Sequence, residues 1–446
     1  MNINKYNQKD TVLVISGWPE TSGRAQNNYG IAWYTKETIE PVAKKYGQRF
    51  VVLSETNHDN IPKTFANDKI LVLRVFDQKH PTLFPRILQY MALFNKIDRV
   101  FVHSEFCTNG GIKNFVLLIP FLALIKLFGK KITYFAHNVV TDLSGIAPHL
   151  NLDKQTISFM ILNSCIRYYY WLLGLLANRI VVMDDEMKHR LITYMPKDKI
   201  VSVPFWIKDS GKTVSKITAR KKLGIKKDKF VLLYFGFITW YKGADWLIDQ
   251  VKSAVFGKKY KNIELILAGG EAWSLKDKLY YRNYYQSQLS KTKGCRNVKI
   301  TGFVNDGDIN TYFAAADVAV FPYRGLIGSS GAITYAVANR KPFILSSKMK
   351  NALNNPDYRA ALSESGLSAD EMVFSPKAGS FEATITGLKD KGRLAKMAKM
   401  STIIKARRSF ETQLPIYYKL LFCETADYAV RLNEVPVHAN PNLAQA

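Results

Sequence analysis

Cysteine is scarce in this chain: Cys107, Cys165, Cys295 and Cys423 stand far apart, with no CxxC spacing and no Cys/His cluster. That excludes a zinc site of the usual spacing and a secreted disulfide framework. No unbroken apolar run reaches the roughly 20 residues that a membrane-spanning helix needs. The two longest candidates are interrupted. "FVLLIPFLALIKLF" (115–128) contains a proline and Lys126, and "ISFMILNSCIRYYYWLLGLLA" (157–177) contains Asn163, Ser164 and Arg167. The opening "MNINKYNQKDTVLVISG" has no apolar core behind a basic start, so no signal peptide is expected and the cytoplasm is the expected compartment. Acidic residues are also short: 36 Asp and Glu stand against 63 Lys and Arg, a net charge of +27. Such an excess favours anionic partners, whether phosphates, nucleic acid or acidic lipid headgroups, and says nothing about fold. The two interrupted apolar stretches are expected to form helices buried against a sheet. The alternative is a partly exposed apolar face resting on the anionic inner face of the cell membrane, with lysines and arginines around it.

What is present is a globular composition, 47% hydrophobic and 22% charged, over 446 residues, enough for two or three domains. From Thr11 to about Val203, short β-branched runs alternate with helix-length segments. "TVLVIS", "RFVVLS", "KILVLRVF", "RVFVHS", "KITYFAHN" and "RIVVMDD" are strand-like, and Ile31 to Tyr46 reads as a helix. Continuous apolar runs suit strands buried on both faces of a parallel sheet, and strand–helix alternation is the mark of a doubly wound domain. The pattern pauses in a lysine-rich stretch, with a linker near Pro204 to Lys212. It then resumes with "KFVLLYFG", "IELILAGG", "NVKITGF", "DVAVFPY" and "PFILSS". "SSKMKNALNNPDYRAALSESGLSADE" (346–371) reads as a surface excursion, helices are expected from Ser380 to about Tyr428, and 429–446 reads as a disordered tail. The expected fold class is therefore α/β, with two facing Rossmann-like doubly wound domains. Ligands of such sheets sit beyond the carboxyl ends of the strands, so the loops there carry the functional signal.

In "FGFITWYKGADWLI", Lys242-Gly243 opens a helix after a strand that ends at Gly236. Unpaired N–H groups plus a lysine suit a diphosphate; the alternative is a solvated surface lysine. The spacing is neither a Walker A loop nor GxGxxG. "GSSGAITYAVANRKP" (328–342) repeats the logic: Ser329 or Ser330 can cap the helix, Gly328 and Gly331 expose backbone, and Ile333, Ala336 and Val337 form an inward stripe. The stretch contains no carboxylate, and Arg324 lies just upstream, which favours a phosphate cradle over a plain packing helix. Gly302, Phe303 and Val304 follow another strand, where a glycine turn can meet the edge of a nucleobase or simply be a turn. His137 and Asn138 end "YFAHN" at a position suited to a sugar contact or to a structural histidine. Asp184 and Asp185 read as the acidic first turn of a helix.

The order and spacing of "GFITWYKGADWLIDQV", "IELILAGG", "VKITGFVNDGDINTYFAAADVAVFPYR" and "SGAITYAVANRKPFILSS" resemble the family-4 glycosyltransferases, specifically over about Lys229 to Ser347. "GWPETSGRAQNNYGIA" and "KKITYFAHN" extend the resemblance more weakly into the first half. It implies a GT-B architecture: an acceptor domain at 1–205, completed by a crossover helix at about 408–428, and a donor domain at 206–407. It also implies transfer of a hexose, with retention of configuration, from a nucleotide-diphosphate sugar to a glycan or lipid-linked acceptor. Neither a further cofactor nor a metal is implied, and nucleic acid is not expected as a partner. By this resemblance Lys242 contacts the donor diphosphate, and Gly236 and Thr239 also belong to the donor-binding side. Gly302, Phe303 and Val304 lie against the base, Ser330 and Gly331 offer hydroxyl and backbone donors to the phosphates, and Arg324 and Ser329 also belong to the donor-binding side. His137 faces the transferred sugar, with His137 and Lys242 as the catalytic pair, and Gly23, Arg24, Asn28 and Gly30 line the acceptor side. Two departures stand out. Ile327 and Tyr335 occupy positions where the family often has glutamates, and Phe237 stands where it often has an arginine. A non-catalytic GT-B protein that binds a nucleotide or a partner enzyme is the alternative.

Overall fold

The computed structural model describes residues 3–19, 30–56, 64–78, 80–104, 112–207, 211, 214–377 and 379–422. The first half builds one sheet from β1 (Val12–Ile15), β2 (Phe50–Glu55), β3 (Thr64–Ala66), β4 (Ile70–Phe76), β5 (Arg99–Ser104), β6 (Lys131–Ala136), β7 (Arg179–Val182) and β8 (Ile200–Ser202). Their order is β3-β4-β2-β1-β5-β6-β7-β8, and every pairing is parallel except that of β3 with β4. The second half builds a parallel sheet from β9 (Phe230–Phe235), β10 (Ile263–Ala268), β11 (Val298–Ile300), β12 (Val318–Phe321), β13 (Phe343–Ser346) and β14 (Val373–Phe374), in the order β11-β10-β9-β12-β13-β14. Strands such as Val12–Ile15 and Val318–Phe321 are buried at every position, because helices cover both faces and leave no polar side to alternate with.

Both sheets reverse direction once. The chain winds outward from β1 to β4 and returns beside β1 as β5; likewise β12 returns beside β9 after β10 and β11. Each reversal sends neighbouring loops apart at the strands' carboxyl ends and opens a crevice there. These crevices hold the candidate site.

The helix Phe410–Phe422 packs Leu414, Tyr417 and Leu421 into the core of the first sheet, although it follows the second sheet in sequence. The return is fastened by the backbone N–H of Ile207, which donates to the Arg408 carbonyl at 2.6 Å. Arg408 itself is buried. It is forked onto the Asp357 carboxylate, with Nη2 3.0 Å from Oδ1, and its guanidinium lies 4.8 Å from the centroid of Tyr358.

Several details differ from the sequence reading. The segment after β13 is not a surface excursion. It forms a 3-10 stretch (Ser347–Asn354) and a helix (Pro356–Ser365) that bury Met349, Leu353, Tyr358 and Leu362, with β14 beyond them. Its polar residues masked an apolar face too sparse to stand out by periodicity. The edge strands β3, β8 and β14 are short, two or three residues each, and give no run to recognise. The two apolar stretches form the helices Ile112–Leu127 and Ile157–Leu176, each burying one face against the sheet and leaving the opposite face in solvent.

Replacing Arg408 with methionine leaves the Asp357 carboxylate without its guanidinium. A loss of about 3 kcal/mol is expected, read in urea unfolding of the whole chain.

Candidate functional site

β9 ends at Phe235, and the chain turns through Gly236 at φ +118°, where a side chain would be strained. A Cβ there would sit 3.1 Å from Lys242 Nζ and 3.9 Å from Ala332 Cβ, so this bare backbone is where the lysine and the helix after β12 converge. Thr239 is buried, its hydroxyl has no hydrogen-bond partner among the described residues, and it leads into the 3-10 turn Trp240–Lys242. Gly243, at φ +72°, then starts the helix Ala244–Lys252, and any Cβ on it would strike the Pro322 carbonyl. The loop can therefore press directly on the end of β12.

Lys242 is half-buried, and among the described residues no carboxylate pairs with it. Its ammonium lies 6.0, 5.9 and 5.7 Å from the ring centroids of Phe237, Tyr241 and Tyr323. Burial lowers its pKa to about 8. It remains mostly charged at neutral pH, facing π-electrons instead of a counter-ion. This is not the solvated surface lysine that the sequence left open.

The helix Gly331–Ala338 begins at Ser330, whose side chain does not cap it; its hydroxyl lies 3.2 Å from the Tyr323 hydroxyl instead. No acid stands in the first turn, so the N–H groups of the helix start carry their partial positive charge uncompensated. Ile333, Ala336 and Val337 are buried, as the stripe predicted. The two positions where glutamates were missing are occupied by packing. Ile327 rests against the core of the first domain, and Tyr335 lies between Phe235 and Phe313, with centroids at 5.2 and 6.5 Å.

Arg324 does not point a spare charge at this crevice. Its guanidinium grips Asp245 with both Nη atoms, at 2.9 and 2.8 Å, stacks 4.5 Å from the Trp240 ring and donates to the Trp240 carbonyl. It ties the loop after β12 to the loop after β9. Gly302, at φ +78°, makes the turn after β11, followed by half-buried Phe303 and buried Val304. The turn abuts the end of β10, where a Cβ on Gly270 would lie 2.8 Å from the Phe303 nitrogen.

In the first domain His137 is buried at the end of β6, its Nε2 3.1 Å from Nδ1 of His103 at the end of β5. Burial lowers His137 to about 3 and drives His103 well below the usual histidine range, with the neighbouring His137 adding to the latter. Both rings are neutral, so a single shared proton forms the hydrogen bond between them. Tyr34 packs edge-on to His137 at 5.1 Å. The next turn of chain carries the domain contact: Asn138 forms a β-bridge with Gly328, and the Val139 N–H donates to the Ile327 carbonyl at 3.1 Å. His137 thus stands beside the loop that leads to Ser329, Ser330 and Gly331.

Other contacts close the same cleft. Arg190 donates to the carbonyls of Val139 (2.9 Å) and Leu326 (2.6 Å). His149 meets Tyr241 at 4.9 Å; burial, helped by the Lys242 charge, lowers its pKa to about 4. Asp184 caps its helix, as the acidic first turn predicted, and also accepts from Asn355 of the second domain at 2.9 Å. Burial raises this carboxyl to about 6.

The structure therefore brings Gly236, Lys242, Ser329, Ser330, Gly331 and His137 to one cleft, with Gly302, Phe303 and Val304 on its flank. Gly23, Arg24 and Asn28 lie outside the described residues; Gly30 starts the helix Gly30–Tyr46. His103 was missed, though it ends "RVFVHS" just as His137 ends "YFAHN". His149 carried no sequence signal, because its neighbour Tyr241 belongs to the other domain.

Residues 229–366 match the family model described as Glycosyl transferases group 1. An uncharacterized glycosyltransferase of Methanocaldococcus jannaschii is 29% identical over 152 residues, a match spanning 32% of this chain and about a third (36%) of that relative. Among solved structures, sucrose-phosphate synthase from Thermosynechococcus elongatus superposes with a TM-score of 0.69 at 16% identity, over 92% of this chain and 98% of that one. HepE from Anabaena in complex with UDP-glucose gives 0.61 at 15%, over 92% and 98%. WaaG, a glycosyltransferase involved in lipopolysaccharide biosynthesis, gives 0.58 at 14%, over 93% and 100%. The chain has the two-domain GT-B fold of these proteins, and within it residues 229–366 match a group 1 glycosyl transferase domain.

Proposed function

We propose that the cleft transfers a hexose from a nucleoside-diphosphate donor to a glycan or lipid-linked acceptor, with retention of anomeric configuration. The observation that carries this reading is Lys242, a cation without a carboxylate partner among the described residues, set beside an uncapped and acid-free helix start. That pairing suits the two negative centres of a diphosphate. The glycine turn at Gly302 and the Phe303–Val304 pair take the base, and neutral His137 faces the sugar.

On this reading the bond from the anomeric carbon to the phosphate oxygen breaks, and its electron pair leaves with the diphosphate. Lys242 and the N–H groups after Ser330 bind that growing charge more tightly than they bind the intact donor, which lowers the barrier. The acceptor hydroxyl adds to the same face of the sugar, and its proton passes to the departing phosphate oxygen. The charge demands donors and a cation, so uncharged Ile327 and Tyr335 do not interrupt the step. The nucleotide sugar is a co-substrate, and the protein works in the cytoplasm.

One observation favours a second reading, a protein that binds the nucleotide without turning it over. Ile327 and Tyr335 are half-buried against the two cores and offer no carboxylate to a sugar hydroxyl. A panel of nucleotide sugars separates the two. The transferase reading expects nucleoside diphosphate to be released from one donor, and Lys242→Ala to weaken nucleoside diphosphate binding by on the order of 10- to 100-fold, the loss of a charged hydrogen bond. Binding with no release, given a range of glycan and lipid-linked acceptors, selects the second reading; no binding at all sinks both.

The pH dependence follows from the lowered pKa of Lys242. Its charge is fully present below about 8 and is lost as pH rises through that value. Calorimetry should show nucleoside diphosphate affinity falling between neutral pH and pH ~9, with proton uptake on binding near pH ~8. In Lys242→Arg, whose guanidinium does not titrate there, the fall should disappear.

A further inference from the structure

The helices Ile112–Leu127 and Ile157–Leu176 lie side by side on one face of the first sheet, each crossing to the next parallel strand. Phe115 stacks on Tyr169 at 4.1 Å, and Lys126 Nζ donates to the Leu175 carbonyl at 2.6 Å. Their inner faces supply core side chains such as Phe121, Leu122, Tyr170 and Leu173. The outer faces are just as apolar. On the first helix Val116, Leu117, Leu124 and Leu127 are exposed, Leu127 by 81%. On the second, Ile157, Ile161, Tyr168, Trp171 and Leu175 recur at spacings that keep them on one side, with Ile157 71% exposed and Ile161 59%.

A soluble surface helix usually carries charge of both signs outward. Here the sequence holds no carboxylate from Phe106 to Thr141 or from Lys154 to Met183, and every charge in those stretches is positive, including Lys126, Lys130, Lys154 and Arg167. Neither helix crosses a bilayer, since none among the described residues is long and apolar enough. An outward apolar stripe, aromatic rings among it and a surround in which basic residues predominate are the features of a helix that lies in a membrane interface.

We propose that this face of the first domain seats on a lipid bilayer bearing anionic headgroups, with Leu124, Ile161 and Trp171 entering the acyl boundary and the lysines and arginines meeting phosphates. The amino ends of both helices lie toward the carboxyl ends of the strands, and the turn carrying His149 reaches the cleft beside Tyr241. The seated surface thus runs up to the cleft rim. If the transferase reading holds, a lipid-linked acceptor would enter from that side; the seating itself does not rest on that reading.

The test is flotation of the full chain with phosphatidylcholine vesicles containing phosphatidylglycerol, against phosphatidylcholine alone, at low and high salt. The protein should float with the anionic vesicles at low salt and stay behind in the other conditions. The triple variant Leu124→Gln, Ile161→Gln, Trp171→Gln changes outward side chains only. It should lower the bound fraction by on the order of ten-fold, with circular dichroism and nucleoside diphosphate binding unchanged. Absence of flotation with anionic vesicles at low salt overturns the proposal, as does undiminished flotation of the variant. A solution dimer that the variant dissociates also overturns it, by giving the face to a second copy. A failed donor screen would leave the result standing, since no nucleotide takes part in it.

Discussion

The two domains meet through a contact that only glycine permits. A Cβ on Gly328 would lie 2.5 Å from the His137 carbonyl oxygen and would overlap the Asn138 side chain as well. Because Gly328 is bare, backbone meets backbone, and the bridge to Asn138 and the bond from Val139 to Ile327 can form. The cleft depends on this approach. It places a neutral histidine from the first domain beside a helix start from the second, and it brings Arg190 within reach of carbonyls on both sides.

Around that contact the basic residues divide into two kinds. Most nearby cations are committed: Arg324 to Asp245, Arg408 to Asp357, Arg190 to Glu186 and to carbonyls. They hold loops and elements in register. Lys242 differs, since its surroundings are rings and its pKa has fallen. A half-buried cation kept away from carboxylates is costly unless something anionic arrives. On the outer helices Lys126 donates to the Leu175 carbonyl and Arg167 to that of Thr141, among exposed leucine, isoleucine and tryptophan.

Much of the architecture was legible because it rests on long apolar runs. Nearly every strand of four or more residues announced itself as a buried β-branched stretch, and the loops after β9 and β12 could be singled out from glycine, lysine and serine alone. The short strands β3, β8 and β14 and the helix Pro356–Ser365 were not legible. Two or three residues carry no period, and the helix hides Tyr358, Ala361 and Leu362 among charged and polar neighbours. The Arg324 charge looked free because Asp245 follows the other strand, 79 positions away in sequence.

The sequence by itself determined that this chain makes two doubly wound α/β units, where their strand-end loops fall, and that its charge is strongly positive. Those properties depend on local composition and periodicity, which one strand or helix displays alone. Tertiary structure decided which cations are spent and which remain, that Ile327 and Tyr335 serve packing, that His103 backs His137, and that two apolar helices turn one face to solvent. Each of these depends on which distant segment fills the space beside a side chain, and a linear sequence does not encode that neighbour locally.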